Sequence, residues 1–334
     1  MVDLKEVRDS NQKLASSFPE LTALFVGATS GIGESILKQF AKSIEKPTAY
    51  IVGRSEKAAS QLLESLHALN PKGVFNFIET DVSTLKNVDG VCDRVKGRVE
   101  KLNLLFLSAG YISFVGRQAT PDDVDASLAL RYYGRARFIQ NLLPIMSSPV
   151  SRVVSVLAGG KEGKMVESDL YLRHNYSIMN AAVHSATMMT LAMDRFAAEN
   201  PSISFVHVFP GLVNTPVLSR GLPAPAAIFM KYVGIPILSL FALSYNEAGE
   251  RELFYATSAR YPPAGNRSSA VGVVLGPKVE VAEGCDGAQG TGLYLLDWNG
   301  EIAGDEKLLT DFKTRGLSDT VWAHTLEVFE NAAQ

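Results

Sequence analysis

The residues best suited to chemistry form a glycine-rich turn, Gly27-Ala28-Thr29-Ser30-Gly31-Ile32-Gly33, between an apolar and an amphipathic segment. Glycine lets the backbone adopt a positive φ and approach a ligand closely. A helix that begins in such a turn presents free N–H groups and a partial positive charge to a pyrophosphate. A strand, a turn and a helix in this order predict dinucleotide binding, and a purely structural turn is the alternative. The predicted binding residues are Gly27, Thr29, Ser30, Gly31, Ile32 and Gly33.

Arg54 follows the second apolar segment, 21 positions after Gly33 (54 − 33). Proteins that prefer NAD usually place Asp or Glu at about this distance, where the carboxylate holds the ribose hydroxyls. A guanidinium group instead suits the 2′-phosphate of NADP, because its planar fork donates two parallel hydrogen bonds. Arg54 therefore predicts NADP(H) as the cofactor, and a solvated surface arginine is the alternative.

The surrounding segments must place the glycine turn and Arg54 at the ends of neighbouring strands. Apolar runs predict strands over 23–26, 50–52, 74–78, 104–107, 152–157, 203–208 and 292–296. Amphipathic runs predict helices over 32–43, 55–69, 85–99, 121–146, 176–198 and most of 305–331. Almost continuously apolar strands between helices favour an α/β fold, a Rossmann-type doubly wound parallel sheet with helices on both faces.

No linker or repeat divides the chain, so residues 1–334 are predicted to form a single NAD(P)-binding domain. Residues 212–265 are rich in proline and are expected to form an irregular insertion over the substrate side of the cleft. Within it, residues 226–243 are strongly apolar but are interrupted by Lys231 and Pro236, and a membrane span needs about 20 apolar residues. We expect a lid that offers an apolar wall to a hydrophobic small molecule, while contact with a membrane surface stays open.

The composition excludes several classes of protein. The net charge of −3 gives no general attraction to nucleic acid. The two cysteines, Cys92 and Cys285, lie far apart and lack metal-ligand spacing, so no metal site is expected and a reducing, cytoplasmic location fits best. The first residues have no apolar core of the kind found in signal peptides.

The spacing Gly-x-x-x-Gly-x-Gly resembles that of the short-chain dehydrogenase/reductase family. Other family landmarks follow in order: Asp81-Val82 after the third strand, Ser108-Ala109-Gly110 after the fourth, and Pro210-Gly211-Leu212-Val213-Asn214-Thr215 after the sixth. The resemblance covers about residues 20–216 and is strongest to filamentous-fungal members associated with secondary metabolism. It implies that the cofactor also contacts Asp81, Val82, Ala109, Gly110, Pro210, Gly211, Val213 and Thr215.

The family's catalytic set is degenerate in this sequence. In the family a Tyr exchanges a proton with the substrate oxygen, a Lys four residues later lowers the Tyr pKa, a Ser orients the carbonyl and an Asn completes a proton relay. Here Ala158 occupies the Ser position, Arg131 the Asn position and Asn180 the Lys position. Tyr176 is preferred over Tyr171 as the acid because it opens the long helix, and Asn180 or Arg131 would assist it.

Other residues of the same region are candidates to replace the missing groups. Lys161 and Lys164 lie in the glycine-rich loop after the fifth strand, and His174 and His184 carry imidazoles that titrate near neutral pH. Each has a structural alternative: the lysines as solvated loop charges, and His184 as a residue on a helix face. We interpret Ser155 as structural.

The sequence thus predicts an NADP(H)-dependent oxidoreductase, of carbonyl reductase or alcohol dehydrogenase type, that acts on a hydrophobic small molecule. Two alternatives stay open, because a fold does not decide a function. One is a non-redox enzyme on the same scaffold, an isomerase, cyclase or dehydratase, and the other is a cofactor-binding protein without catalysis. The resemblance also implies a homodimer formed through the two long helices.

Overall fold

In a computed structural model, seven parallel strands form one sheet in the order β3-β2-β1-β4-β5-β6-β7. The structure describes residues 1–148, 150–213, 242–266 and 271–333. The predicted α/β fold is confirmed, and the strand order reverses between β1 and β4, which is where Rossmann-type sheets bind their ligands. The strands are β1 Glu20–Val26, β2 Lys46–Gly53, β3 Val74–Glu79, β4 Leu104–Leu107, β5 Arg152–Val156, β6 Ser204–Val208 and β7 Leu293–Leu296.

Helices cover both faces of the sheet, and each face has its own hydrophobic core. On one side α3, α4 and α9 pack over the strands together with α1; on the other lie α5, α7, α8, α10 and α11. Because both faces are covered, the strands are almost entirely apolar. The helices are α1 Leu4–Gln12, α2 Leu14–Ser17, α3 Gly31–Ser43, α4 Glu56–Leu69, α5 Leu85–Lys96, α6 Ala126–Leu128, α7 Gly134–Leu142, α8 Ile178–Glu199, α9 Tyr245–Thr257, α10 Glu306–Thr314 and α11 Leu317–Ala332.

The continuous helix predicted over 121–146 is wrong at its start and in its middle. The helical segment begins only after Asp125, whose carboxylate accepts hydrogen bonds from the N–H groups of Ser127 (2.9 Å) and Leu128 (3.2 Å). The chain then passes through a π-helical turn, Ala129–Tyr133, before α7 begins. A π turn inside a helix frequently marks a functional site, because it shifts the side chains that follow it.

The expectation of an irregular segment over 212–265 is wrong for its second half. Residues 245–257 form the regular helix α9, and the side chain of Ser244 caps it. Gly249 lets α9 approach α3 closely, because a Cβ at this position would lie 2.7 Å from the Ser35 carbonyl carbon. Residues 214–241, with most of the apolar run, lie outside the described residues, and the lid stays a prediction.

The C-terminal tail is mostly helical, as predicted, and consists of α10 and α11, with Gly316 at a φ of 71° between them. Helix α1, which the sequence did not predict, packs against α9. Within the described ranges, no helix is long and apolar enough to cross a membrane.

Candidate functional site

A cleft of about 560 Å³ opens at the carboxyl ends of the central strands, within the size range of small-molecule sites. Its lining residues are distant in sequence and come from the segments that follow six strands, β1 to β6, and from the helical segment 126–135. Of the predicted cofactor-binding residues, all but Thr215, which lies outside the described residues, line it: Gly27, Thr29, Ser30, Gly31, Ile32, Gly33, Arg54, Asp81, Val82, Ala109, Gly110, Pro210, Gly211 and Val213.

The glycine turn is shaped by close backbone approaches that side chains would block. Gly27 has a φ of 90°, and a Cβ on it would lie 2.6 Å from the Cα of Ala109. A Cβ on Gly33 would lie 2.5 Å from Ser108 Oγ and 2.6 Å from the Gly27 carbonyl oxygen. Ser30 is the N-cap residue of α3, but its side chain caps no backbone N–H group. The N–H groups of the first turn of α3 are therefore available to an anion in the cleft.

Arg54 lies at the end of β2, on the rim of the cleft and exposed to solvent. Within the described residues, its guanidinium group has no recorded hydrogen bond or ion pair with a protein group. Thr80 and Asp81, which follow β3, form the neighbouring wall. A cation without a protein partner beside a helix-terminus anion site suits the binding of a second phosphate.

At the positions where the family has its Ser hydroxyl and Lys ammonium, this chain has Ala158 and Asn180. Ala158 supplies only its backbone N–H, which donates to Nε2 of His207 at 3.2 Å. The side-chain amide of Asn180 donates to the Asn175 carbonyl at 2.7 Å, and among the described residues no hydrogen bond joins it to Tyr176. The predicted assistance from Asn180 therefore has no support in the geometry.

The two candidate tyrosines have different surroundings. Tyr171 packs against His324 of α11, with ring centroids 4.4 Å apart, and its hydroxyl lies 3.5 Å from Glu327. Tyr176 precedes α8 by two residues, and its hydroxyl donates weakly to the Ser113 carbonyl at 3.4 Å. Tyr176 does not line the cleft. It interacts electrostatically with Arg131, which does line the cleft.

Burial raises the pKa of Tyr176, and the nearby Asp125 carboxylate raises it further. The positive charge of Arg131 acts in the opposite direction but does not outweigh these effects. The Tyr176 phenol is therefore protonated at neutral pH, which suits a proton donor and not a base.

Arg135 is a cleft residue that the sequence analysis missed. It is buried, and its guanidinium donates to Ser155 Oγ (2.7 Å), the Val156 carbonyl (3.0 Å) and the Ala109 carbonyl (2.7 Å). Burial lowers the pKa of Arg135 to about 9, with a smaller contribution from Arg131. The available signal was its position four residues after Arg131, which places both cations on one side of the helix.

The other candidates to replace the missing catalytic groups are structural or solvent-exposed residues. His184 is buried and accepts a hydrogen bond from the Val166 N–H at 2.9 Å, and burial lowers its pKa to about 4. Lys164 and His174 are exposed, and Lys161 lies over the Phe209 ring at 5.0 Å. Among the described residues, no group of three or more His, Cys, Asp or Glu side chains could hold a metal ion.

A buried polar network supports the loop after β5. Thr190 Oγ1 contacts His207 Nδ1 at 2.8 Å and donates to Glu162 Oε1 at 2.6 Å. Glu162 also accepts a hydrogen bond from the Gly160 N–H at 3.1 Å. This network holds the glycine-rich loop between α8 and β6, so these buried groups position the wall of the cleft.

Comparisons with known proteins agree with this geometry. The family model described as short chain dehydrogenase matches residues 21–223. The chain is 45% identical to oxidoreductase AN1596 of Emericella nidulans, over 99% of both chains. It is 36% identical to oxidoreductase andH of Emericella variicolor, over 99% of this chain and 97% of the relative.

Among solved structures, the angucycline C-6 ketoreductase LanV, with bound NADP, has the same fold. Its TM-score is 0.51 at 18% identity, over 71% of this chain and 88% of that chain.

Proposed function

The chain belongs to the short-chain dehydrogenase family, and on that premise we propose that it uses NADP(H) to interconvert a carbonyl and an alcohol on a hydrophobic small molecule. It is an enzyme of the oxidoreductase type, and its Emericella relatives confirm the expected resemblance to filamentous-fungal members. The observation that carries the proposal is that Arg54, which has no hydrogen bond or ion pair with the described residues, lies beside the glycine turn in one cleft.

The residues present fit this cofactor. A pyrophosphate would lie on the N–H groups at the start of α3, where Gly27 and Gly33 keep the backbone free of side chains. Arg54 would hold the 2′-phosphate. The solved LanV structure, which contains NADP, supports the same choice by analogy of fold.

NADPH supplies the hydride when bound, and the protein supplies orientation and a proton. Tyr176 would donate this proton to the carbonyl oxygen, because its phenol stays protonated at neutral pH. Arg131 would contribute a permanent cation next to that oxygen. This arrangement favours the direction of carbonyl reduction, for which the enzyme needs an acid and not a base.

The described wall of the substrate end is largely apolar, which suits a hydrophobic molecule. The apolar residues that line it are Ile112, Leu130, Leu157, Leu212 and Val213. We extend this wall, as part of the proposal, by a lid formed from the part of the predicted insertion that precedes α9, residues 212–244. A cytoplasmic role in fungal secondary metabolism is the biological setting that we propose.

The replacement of the family's Ser and Lys by Ala158 and Asn180 favours a second candidate, a non-redox isomerase, cyclase or dehydratase. Such an enzyme would keep the cofactor as a structural element and use Tyr176 and Arg131 for proton transfer alone. A binding protein without catalysis is the third candidate, since the cleft alone does not require turnover.

A single-turnover reaction with NADPH deuterated at the transferred position separates these candidates. A panel of apolar ketones serves as substrate, and mass spectrometry follows the products. Deuterium in the product supports the reductase, unlabelled conversion supports the non-redox enzyme, and no conversion supports the binding protein. Tyr176→Phe is expected to slow the labelled reaction roughly 100-fold or more, whereas Tyr171→Phe is the matched control with little effect.

A further inference from the structure

Two arginines lie one helical turn apart at the substrate end of the cleft. Arg131 belongs to the π-helical turn, and Arg135 lies in the first turn of α7. Both line the cleft. The Arg135 guanidinium donates hydrogen bonds only to neutral acceptors. They are Ser155 Oγ and the carbonyl oxygens of Val156, Ala109 and Leu130, the last at 3.3 Å. Its charge is therefore hydrogen-bonded but not neutralised by a carboxylate.

Arg131 has fewer partners still. Its side chain is partly buried, and no hydrogen bond or ion pair joins it to another part of the chain that the structure describes. The Asp125 carboxylate interacts electrostatically with Arg131. Both of its oxygens accept hydrogen bonds from backbone N–H groups: Oδ2 from Gln118, and Oδ1 from Ser127 and Leu128. Asp125 thus acts on Arg131 only through its field, and a partly buried guanidinium group without a hydrogen-bonded anion is suited to a ligand that brings one.

The phosphates of the proposed cofactor have their own binding groups. The pyrophosphate would lie on the glycine turn at the end of β1, and the 2′-phosphate on Arg54 at the end of β2. Arg131 lies on a different wall, with its Cγ 4.0 Å from where a Cβ on Gly110 would be, after β4. Tyr176, which also interacts electrostatically with Arg131, is a phenol whose pKa is raised by burial and which is therefore neutral at neutral pH. The anion must then come with the substrate.

We propose that Arg131 binds an anionic oxygen group of the substrate, a carboxylate or the enolate of a 1,3-dicarbonyl, and so selects acidic over neutral hydrophobic molecules. This proposal rests on the proposed function only for the position of the substrate. A guanidinium group recognises either group with a charge-assisted, two-pronged hydrogen bond. A neutral ketone would leave the Arg131 charge unpaired, and this difference provides the selectivity.

Equilibrium binding to the NADP⁺-loaded full chain tests the proposal with two matched pairs of probes. Cinnamate and cinnamamide have the same shape but differ in charge. Dimedone and 3,3-dimethylcyclohexanone likewise compare an acidic 1,3-dicarbonyl with a neutral ketone. Calorimetric titration is expected to show the acidic member of at least one pair binding roughly 10- to 100-fold more tightly, as for a hydrogen bond to a charged group. Preference within the first pair identifies a carboxylate, and preference within the second an enolate.

Variants assign the preference to Arg131. Arg131→Gln is expected to remove it while leaving NADP⁺ affinity unchanged and without lowering thermal stability, because the variant loses a partly buried charge. Arg131→Lys is expected to retain part of the preference. Arg137→Gln is the matched control: this arginine lies on the same helical segment but pairs with Asp89 at 2.6 Å, outside the cleft. It is expected to keep the full preference.

Several outcomes would overturn the proposal. They are equal binding of both members of each pair, absence of binding by both acidic probes, and a preference that survives Arg131→Gln. A loss of NADP⁺ affinity in Arg131→Gln would assign the guanidinium to the cofactor instead. None of these binding measurements requires turnover. Their results can therefore be interpreted even if the labelling experiment contradicts the redox proposal.

Discussion

The phenol oxygen of Tyr133 lies 2.6 Å from Nε2 of His324, which joins the helical segment beside the cleft to α11 at the end of the chain. Burial raises the pKa of Tyr133 well above its usual value and lowers that of His324 to about 4, so at neutral pH this contact is between neutral groups. Further contacts across the same interface join Tyr132 to Thr325 and Phe196 to Trp322. Helix α11 therefore covers the side of α7 and α8 through which the family resemblance implied a homodimer.

We expect the full chain to be a monomer, because its own α11 occupies that surface. Sedimentation velocity across the micromolar range measures the state directly, and a stable dimer would contradict the expectation. Removing residues 317–333 should expose the buried rings of Tyr132 and Tyr133, and the truncated chain should self-associate or lose stability.

Arg54→Ala should weaken NADPH binding roughly 10- to 100-fold and leave NADH binding nearly unchanged, because only NADPH carries the 2′-phosphate. Fluorescence titration with both cofactors measures the difference. Lys57→Ala removes an exposed cation one helical turn away, outside the cleft, and should change neither affinity. Equal losses for both cofactors in Arg54→Ala would show that this residue does not discriminate between them.

Gly33→Ala should weaken NADPH binding at least tenfold, because the new methyl group would force the turn away from Ser108 and the Gly27 carbonyl. Gly90→Ala is the matched control: a Cβ there meets nothing within 4 Å, and alanine favours the helix. Far-ultraviolet circular dichroism should be unchanged in both variants. Normal NADPH affinity in Gly33→Ala would mean that the pyrophosphate binds elsewhere.

The free energy of unfolding should fall as the pH falls below about 6.5, with a contribution from His207. Burial lowers the pKa of His207 to about 3, so the folded protein keeps this imidazole neutral while the unfolded chain takes up a proton. The contribution is present above pH 6.5 and is lost toward pH 3, by about 1.4 kcal/mol per pH unit.

His207→Gln should flatten this slope in urea unfolding measured from pH 7 to pH 4, whereas His67→Gln, at an exposed position on α4, should not. An unchanged slope in His207→Gln would show that another group causes the acid sensitivity.

Glu252 should lower the free energy of unfolding as the pH rises, which is the opposite pH dependence to that of His207. Its side chain is buried, its Oε2 has no hydrogen-bond partner, and burial raises its pKa to about 8. Because the unfolded carboxyl ionises near pH 4.5, stability is lost as the pH rises from 4.5 to 8. Glu252→Gln should therefore gain stability over the natural chain at pH 8 but not at pH 4.5, and exposed Glu64→Gln should gain nothing at either pH. An equal effect of Glu252→Gln at both pH values would exclude ionisation as the cause.

The sequence predicted which residues come together where their positions depend on the backbone. The glycine turn, Arg54 and the segments after the strands line one cleft, because a parallel sheet brings the carboxyl ends of its strands to one edge. The sequence did not predict the directions of side chains. Asn180 follows Tyr176 at the expected spacing, but its amide is held by the Asn175 carbonyl in the loop before α8.

The sequence by itself determined the alternation of strands and helices, the glycine turn and the residue types at the family positions, because these depend on local periodicity and spacing. Only the tertiary structure decided that α11 covers the long helices and that Asp125 and not Pro121 begins the helical segment. It also decided that Arg135 is held by Ser155 and backbone carbonyls, while Arg131 forms no hydrogen bond or ion pair with the described part of the chain. These features depend on contacts between residues that are distant in sequence. Burial determines which charged side chains are hydrogen-bonded within the protein and which are suited to bind a ligand.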